Sequence, residues 1–365
     1  MHTNSESYLS QRWTQIQTHL FPSLCAEFNS TSPKLEKLIH ILEWIQLDQH
    51  LPYTGQANGR PTKDRLAIAC AFVAKAVLNL GTTRALIDRL SVDRMLQRIC
   101  GFEAYKPLPS EATFSRAFKA FAESNLAEHA HAALIRGHLG EHIIGHLSRD
   151  ATAIHAREKP VAKPKPTGDG KIEASPKRSV AAQRSLSQAD VLAQIPTECT
   201  RGTKCNAQGY KVSWNGYKVS WNGYKLHIDT ADCGVPVSAI LSSASMHDSL
   251  AAIPLSRISA DRVDNLYDLM DAAYCSFDLH EHCRELGHVP IIDHNPRQGI
   301  KEGMDPNDAI RYRARSGIER TNGRLKDEFG GRNVMVQRAK KVFSHLMFGL
   351  LVLSADQLIR LIQFE

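Results

Sequence analysis

The sequence IIGHLSRDATAI at residues 143–154 is the first stretch of the chain in which apolar and polar residues alternate. Alternation with a period of two is typical of a β-strand with one buried face. Shorter strands are predicted downstream at residues 224–230, 235–242, 265–270 and 289–292, and a helix is predicted at 307–327. Strands that are closed by a helix predict a second domain of mixed α/β class over residues 140–365.

Upstream of this stretch, the sequence predicts only helices. Apolar residues recur at helical spacing over residues 33–47, and residues 64–80 are apolar on most faces, which predicts a buried helix. Shorter helices are predicted at 84–90, 92–99 and 110–122. An all-helical N-terminal domain is therefore predicted at residues 1–135. Two domains also suit the length of 365 residues, because a single core stops growing at roughly 250–300.

The predicted helical domain carries six basic residues on short, closely spaced helices: Arg84, Arg89, Arg94, Arg98, Arg116 and Lys119. They fit a DNA-binding module of the helix-turn-helix kind and equally a plain helical bundle with a solvated basic face. Both interpretations stay open, because no recognition helix can be singled out. The net charge of +7 favours an anionic partner such as nucleic acid.

A basic, proline-rich insertion of about 156–208 separates the first two predicted strands. Residues 157–184 contain four prolines and eight Lys or Arg residues. Such a composition buries little apolar surface, which predicts a mobile segment. A solvated linker is favoured over an arm that clamps DNA.

A tandem repeat follows this insertion. The heptapeptide YKVSWNG stands at residues 210–216 and again at 217–223. Inserting seven residues into a strand would exchange its two faces, because the side-chain period is two. The extra copy is therefore predicted to loop out, with turns at the Asn-Gly pairs 215–216 and 222–223.

Several classes of protein are disfavoured by the sequence. The N-terminus has neither the basic cluster nor the apolar core of a signal peptide, which indicates the cytoplasm. The longest apolar stretch, at 342–353, is shorter than the roughly 20 residues of a spanning helix, which predicts a buried C-terminal helix and no membrane. The eight cysteines are dispersed, so a disulfide framework is not expected.

The late helix carries four functional side chains at defined spacing. Tyr312, Arg315, Glu319 and Lys326 follow the pattern Y-x2-R-x3-E-x6-K. On an α-helix they fall within an arc of roughly 60°. A solvated ion pair between Arg315 and Glu319 is the simpler interpretation, but it leaves Tyr312 and Lys326 unexplained.

Two further acidic residues complete a predicted catalytic trio. Asp150 lies in the first predicted strand, Asp271 directly follows the strand at 265–270, and Glu319 lies on the helix. Carboxylates suit two Mg²⁺ or Mn²⁺ ions, which activate an attacking oxygen and stabilise the leaving oxygen of an in-line displacement. Arg315 and Lys326 would hold backbone phosphates beside such ions. Together these residues predict phosphodiester transfer.

On these residues, the segment 140–365 resembles the DDE transposases of bacterial insertion sequences, in the group named for the Tyr-Arg-Glu-Lys signature. The matching segments are SRDATAI at 148–154, GYKLHID at 223–229, SASMHD at 243–248, DAAY at 271–274 and the signature at 312–326. The helical part resembles the N-terminal domain of these proteins at GRPT 59–62 and PSEATFSR 109–116.

The resemblance implies an RNase H-like catalytic domain with Asp150 on the first strand, Asp271 after the fourth and Glu319 on the last helix of that fold. It implies that these three residues hold two Mg²⁺ or Mn²⁺ ions and that Tyr312, Arg315 and Lys326 contact DNA phosphates. It further implies cleavage at terminal inverted repeats and strand transfer into double-stranded target DNA. A homodimer in the synaptic complex and association with the bacterial nucleoid on DNA belong to the same expectation.

The sequence departs from the family pattern in two places. The doubled heptapeptide lies just before the second strand. Some relatives carry a tryptophan near the second aspartate for hairpin formation, where this chain has Cys275-Ser-Phe277, so hairpin formation stays open. Three hypotheses follow: an active transposase, an inactive relic that only binds DNA, and a nuclease that cleaves without joining. A supporting role of His247 and Asp248 is a further hypothesis, and a structural role is favoured.

Overall fold

The computed structural model describes residues 32–51, 64–103, 105–161, 179–204, 213–214, 217–296 and 299–363. Its helices, in chain order, are α1 Pro33–Ile45, α2 Arg65–Val77, α3 Thr83–Val92, α4 Arg94–Cys100, α5 Glu111–Glu123, α6 Leu126–Leu139, α7 Val180–Arg184, α8 Gln188–Gln194, α9 Ser249–Ala260, α10 Phe277–Glu285, α11 Pro306–Tyr312, α12 Ser316–Glu328 and α13 Ala339–Gln363. Its strands are β1 Ile143–His155, β2 Thr200–Thr203, β3 Ser213–Trp214, β4 Tyr217–Lys218, β5 Ser220–Ala231, β6 Pro236–Ser243, β7 Asp264–Met270 and β8 Val289–Ile292. Single 3₁₀ turns occur at Leu47–His50, Ala272–Tyr274 and Arg313–Arg315.

The chain divides into two compact units. The helical unit comprises Met1–Leu134, Asp327–Gly330 and Ser344–Glu365, and the sheet unit comprises Ile135–Lys326 and Gly331–Phe343. The first boundary between the two units lies between Leu134 and Ile135. The C-terminal segment, which the predicted range 140–365 gave to the second domain, clusters with the helices instead.

The helical unit is built around α2. Its residues from Ala67 to Val77 are all buried, as expected for a segment that is apolar on most faces. Asp64 caps this helix by accepting hydrogen bonds from two backbone N–H groups, and Thr82 caps α3 in the same way. The predicted helices of this region are present.

An aromatic cluster explains why the C-terminal helix belongs to this unit. Phe348 of α13 packs at ring-centroid distances of 6.0 Å from Phe72 and 6.3 Å from Phe118. The segment Ala339–Ile362 is long and apolar enough to cross a membrane, but 78% of its most apolar window is buried inside the protein. It is therefore a core helix, as the apolar stretch at 342–353 predicts.

The sheet unit contains one mixed sheet. Strands β6, β5 and β1 pair antiparallel, and β7 and β8 continue the sheet from β1 in parallel. The short β2 pairs with the first residues of β5. The prediction of a mixed α/β class is confirmed.

Part of the predicted mobile insertion is packed structure. Residues 162–178 lie outside the described residues, but α7, α8 and β2 occupy the segment that follows. Val180, Val191 and Ile195 are buried there. Arg257 of α9 donates hydrogen bonds to the backbone oxygens of Arg184 and Leu186. The prediction of mobility, which concerned residues 157–184, is wrong for residues 179–184, because a few isolated apolar residues suffice to dock a short helix.

The tandem repeat is divided between two structures. In the first copy and at the start of the second, β3 and β4 pair antiparallel with Trp214 opposite Tyr217. The first predicted turn, at 215–216, lies outside the described residues. The second predicted turn is wrong, because Asn222 and Gly223 lie inside β5 and pair with β2. Gly223 has φ +151°, and a Cβ atom there would lie 2.1 Å from the backbone oxygen of Ile154, so only glycine fits.

Candidate active site

Two neighbouring strands position the first two carboxylates. Asp150 lies within β1, and Asp271 directly follows β7. Arg149 and Met270 are register partners of the parallel pair β1–β7, so the residues that follow them, Asp150 and Asp271, lie at the same level of the sheet. The Asp271 side chain accepts a hydrogen bond of 2.9 Å from the N–H of Ala273, which orients its carboxylate.

A helical segment adds the third carboxylate and a cation. Arg315 ends a 3₁₀ turn, and Glu319 lies in the first turn of α12. Arg315 Nη2 is 3.2 Å from Asp150 Oδ1 and 3.6 Å from Asp271 Oδ2. Arg315 Nη1 is 3.8 Å from Glu319 Oε1. One guanidinium group thus contacts all three carboxylates. The two aspartate oxygens lie within 3.6 Å of one nitrogen atom and are therefore less than twice that distance apart.

Asn322 is a site residue that the sequence interpretation missed. Its Nδ2 donates a hydrogen bond of 3.2 Å to Asp150 Oδ2, so Asn322 and Arg315 hold different oxygens of the same carboxylate. Asn322 lies three positions after Glu319 and seven after Arg315, which places it on the same face of the helix. The helical period identifies this position, but an uncharged asparagine is not a distinctive signal beside charged neighbours.

The electrostatics show an excess of negative charge. Burial raises the pKa of Asp150 to about 6, although the charge of Arg315 opposes the shift, and the neighbouring charge of Asp271 adds to it. Burial also raises the pKa of Asp271, again against the effect of Arg315. A single guanidinium therefore does not neutralise this group of carboxylates.

The donor set fits a hard divalent cation. The carboxylates supply oxygen ligands, and two buried atoms at the site, Asn322 Oδ1 and Arg315 Nε, have no hydrogen-bond partner among the described residues. An orphaned amide oxygen beside half-neutralised carboxylates suits Mg²⁺ or Mn²⁺. In the described part of the chain, no three His, Cys, Asp or Glu side chains are arranged to hold one metal ion. The metal site therefore stays a prediction.

The two other signature residues precede and follow Arg315 and Glu319 in the chain. Tyr312 ends α11, and burial raises its pKa to about 12; the Arg315 charge opposes the shift, and the charges of Asp293, Asp271 and Asp150 add to it. Its phenol is thus close enough to sense these carboxylates. Lys326 is half-buried in the last turn of α12. Its placement beside the site rests on the helix period alone.

A second polar cluster lies near the carboxylates. Lys225 Nζ is 2.8 Å from Asp248 Oδ1 and donates a further hydrogen bond of 2.9 Å to the backbone oxygen of Met246. The charge of Asp248 contributes to the raised pKa values of both Asp150 and Asp271. His247 is exposed and contacts the hydroxyl group of Ser249, so the structure gives it a local role.

Comparison with known families gives two matches. The family model described as "Transposase DDE domain" matches residues 146–354, a range that contains the three carboxylates, Arg315 and Asn322. The model described as "Transposase domain (DUF772)" matches residues 25–120, most of the helical unit. No curated protein and no solved structure matches the chain.

Proposed function

The chain belongs to the family of transposases with a DDE domain, and from this premise we propose that it cuts DNA at the terminal inverted repeats of an insertion sequence and joins the ends to target DNA. The observation that supports this most is the contact of one guanidinium, that of Arg315, with Asp150, Asp271 and Glu319. A strand, the end of its neighbour and a helix contribute one carboxylate each.

In the proposed reaction, Asp150, Asp271 and Glu319 would hold two Mg²⁺ or Mn²⁺ ions, which would supply activation of the attacking oxygen and stabilisation of the leaving oxygen. Asn322 donates a hydrogen bond to one oxygen of Asp150, and the other oxygen contacts Arg315, so the two residues together orient this carboxylate. Arg315 and Lys326 hold phosphates, Arg315 through its planar fork and Lys326 as a point charge. Tyr312 adds a hydroxyl donor at the rim.

The RNase H-like fold that the family implies is part of the proposal. It is supported by the antiparallel order β6–β5–β1, continued in parallel by β7 and β8, with Asp150 on the first strand. Asp271 follows β7, and Glu319 lies on α12, the last helix of the sheet unit. We further propose that the protein acts in the bacterial cytoplasm, associates with the nucleoid when it is bound to DNA, and forms a homodimer in the synaptic complex.

Binding of DNA by the helical unit is also proposed. Ion pairs neutralise several of its basic residues: Arg84 with Glu111, Arg89 with Asp93, and Lys119 with Glu123. These pairs favour a solvated face at those positions. Arg116 on α5 is exposed and donates a hydrogen bond from its Nε to the backbone of Ala112, which makes it a better candidate for a phosphate contact.

The position of the tandem repeat favours the active enzyme over the relic. The N–H of Lys204 donates a hydrogen bond to the backbone oxygen of Val219, which brings the end of β2 to the start of β5. The additional residues of the repeat lie between these two points in the chain. If β5 slipped by seven residues, Trp221 would replace the fully buried Ile228 and Asn222 would replace Asp229. That register is disfavoured, because Trp221 is too large for the buried position of Ile228 and Arg149 would lose the carboxylate with which it pairs. The second copy ends at Gly223 and therefore lies before Ile228, the residue of β5 that pairs with Asp150.

The test is incubation of the purified protein with its flanking inverted repeats and Mg²⁺, with products resolved on a denaturing gel. A transposase gives cleaved ends and, with added target duplex, joined products. A nuclease gives cleaved ends only, and a relic shifts the DNA without cutting it. Asp150→Asn serves as the control, because it keeps the shape of the side chain and removes the ligand charge. Cleavage by this variant at the parental rate would contradict the proposed site.

A further inference from the structure

Arg149 is the largest fully buried side chain of the described residues, and it directly precedes Asp150. Its Nε and Nη2 donate hydrogen bonds of 2.8 and 2.7 Å to the two carboxylate oxygens of Asp229. Only 1% of its surface is exposed, so it is not available to DNA. The proposed mechanism therefore leaves this charge unexplained.

The partners of Arg149 lie on both neighbouring strands. In the pairing of β1 with β5, Arg149 is opposite Asp229. In the pairing of β1 with β7, it is opposite Met270, and its Nη1 lies 3.5 Å from the Met270 sulfur. One side chain thus links three strands at a level one residue before Asp150 and one residue before Asp271.

The Arg149–Asp229 pair is also hydrogen-bonded to helix α9. Ser259 of α9 donates a hydrogen bond of 2.6 Å to Asp229 Oδ2, and Ser238 of β6 contacts the Ser259 hydroxyl at 2.6 Å. Burial alone would lower the pKa of Arg149, but the charge and hydrogen bonds of Asp229 outweigh it and raise the pKa. These hydrogen bonds fix the Arg149 and Asp229 side chains inside the sheet unit.

Stability is a poor explanation for such a pair. Taking two charges out of water costs about as much as their attraction returns, and apolar residues of similar volume are often as stabilising. What a bidentate pair supplies is direction, because two parallel N–H donors hold the carboxylate in the plane of the guanidinium group. The direction fixed by Asp229 on β5 also sets where Arg149 Nη1 meets Met270 on β7. Two metal ions held by the residues that follow Arg149 and Met270 require a fixed separation of their ligands, since bridged ions lie roughly 3.5–4 Å apart.

We propose that Arg149 is a positioning residue that fixes the offset of β1 against β7, and with it the separation of the Asp150 and Asp271 carboxylates. The proposal rests on the proposed function, in which these two carboxylates are metal ligands. Arg149 acts through Asp229 and Met270 and touches neither DNA nor metal.

The decisive variant is Arg149→Met with Asp229→Leu, which replaces both charges with apolar side chains. Ser259 keeps Ser238 as a partner, so no buried hydroxyl is orphaned. We expect a melting temperature close to that of the parent, and end binding within about twofold. We expect at least about tenfold weaker Mn²⁺ binding, measured by electron paramagnetic resonance, and at least about tenfold slower single-turnover cleavage at saturating DNA.

Two controls make each outcome decisive. Leu255→Ala removes core volume in the separate cluster of Ile195, Ile240, Met246 and Ala251, so it reports what lost stability alone does to Mn²⁺ binding. Asp150→Asn reports the loss of a ligand. If the parent binds Mn²⁺, Asp150→Asn does not, and the paired variant binds like the parent, the positioning role is overturned while the proposed function stands. If Asp150→Asn binds Mn²⁺ like the parent, the metal site itself is wrong.

Discussion

Arg315 Nη2 lies 3.2 Å from Asp150 Oδ1, although the two residues are 165 positions apart in the chain. The contact joins the central strand of the sheet to the segment that begins α12. It gives the site a positive charge beside Asp150 and Asp271, whose pKa values are raised by burial. The carboxylates are proposed to hold metal and Arg315 is proposed to hold DNA phosphate. Substitutions at each kind of side chain can therefore test the two roles separately.

The raised pKa of Asp150 predicts a stability cost in the metal-free protein. Its pKa is about 6 in the folded chain against an ordinary value of 3.8, so the folded state binds the proton more tightly than the unfolded chain. The free energy of unfolding therefore falls as the pH rises between about 4 and 6, by on the order of 2 kcal/mol. We expect Asp150→Asn, which does not titrate, to melt higher than the parent at pH 7.

Thermal melts in chelator between pH 4 and 7 measure this effect. Asp264→Asn, at an exposed position at the start of β7, is the matched control and should keep the parental pH profile. A parental profile for Asp150→Asn as well would show that its ionisation is not penalised in the folded protein.

Glu319 and Arg315 should separate catalysis from binding. Glu319→Gln keeps the shape of the side chain but removes a ligand charge, so we expect cleavage to fall at least about a hundredfold. DNA ends should bind as before or slightly more tightly, because a negative charge beside phosphate is lost. Arg315→Ala should weaken both end binding and cleavage, because phosphate placement is lost. Paired gel-shift assays without metal and cleavage assays with Mg²⁺ measure the difference, and parental cleavage by Glu319→Gln would make this residue a surface ion-pair partner.

Local elements of the fold could be predicted from the sequence to the extent that they show a period. Strand β1 and helix α2 have clear patterns, and the structure has both close to the predicted bounds. Helices α7, α8 and α9 show no usable pattern, because the first two are very short and α9 contains Pro254, which ordinarily interrupts a helix. The unit to which α13 belongs could not be inferred from apolarity, since an apolar face does not say what it packs against.

The site shows the same limit at the level of single residues. Spacing alone is enough to group Arg315 with Glu319, because the two residues are four positions apart and the 3₁₀ turn that contains Arg315 leads directly into α12. The contact of Asn322 with Asp150 and the pairing of Arg149 with Asp229 join separate elements. Such contacts depend on strand register, which the sequence alone leaves undetermined.

A buried cation in the helical unit predicts a second pH effect of opposite sign. Lys75 is 6% exposed, its Nζ lies 3.5 Å from His345 Nδ1, and burial lowers its pKa to about 8. The unfolded chain binds this proton more tightly, so the stability of the unit should rise with pH between about 8 and 10.5. We expect Lys75→Met to remove that rise and to stabilise the unit at pH 7 by on the order of 3 kcal/mol.

Melting curves across this pH range provide the measurement. Lys34→Met, at an exposed position of α1, is the control and should leave the profile unchanged. If Lys75→Met destabilises the protein at pH 7, the ammonium group has a stabilising partner that outweighs its burial.

Binding of DNA should depend steeply on salt. Phosphate contacts release counterions, so affinity for a nonspecific duplex should fall at least about tenfold between roughly 50 and 200 mM salt. If the helical unit contacts phosphate, Arg116→Ala should lower the slope of log affinity against log salt by about 1. Lys106→Ala, at a residue paired with Glu103, is the control. An unchanged slope for Arg116→Ala would favour the plain bundle with a solvated face.

The tandem repeat allows a test in which sequence is constant and only context differs. Trp221 of the second copy donates a hydrogen bond of 3.0 Å to the backbone oxygen of Tyr224, and a Cβ atom on Gly202 would lie 2.5 Å from its ring. The matching Trp214 lies on β3, whose described pairing is with β4 alone. We expect Trp221→Ala to lower the free energy of unfolding by about 1–3 kcal/mol and Trp214→Ala to have a smaller effect.

Deletion of one copy should leave the enzyme intact. Removing residues 217–223 yields the same protein as removing 210–216, because the copies are identical, and the remaining copy then enters β5 with Asp229 still opposite Arg149. We expect cleavage within about threefold of the parent and a comparable melting temperature, since the duplication lies before the strand residues that neighbour Asp150. Single-turnover cleavage of both proteins measures this directly. If the parent is inactive and the shortened chain cleaves, the duplication inactivates this copy and the relic hypothesis is correct. If both are inactive while Asp150→Asn and the parent bind ends equally, the defect lies in the site itself, and its metal ligands must be reassigned.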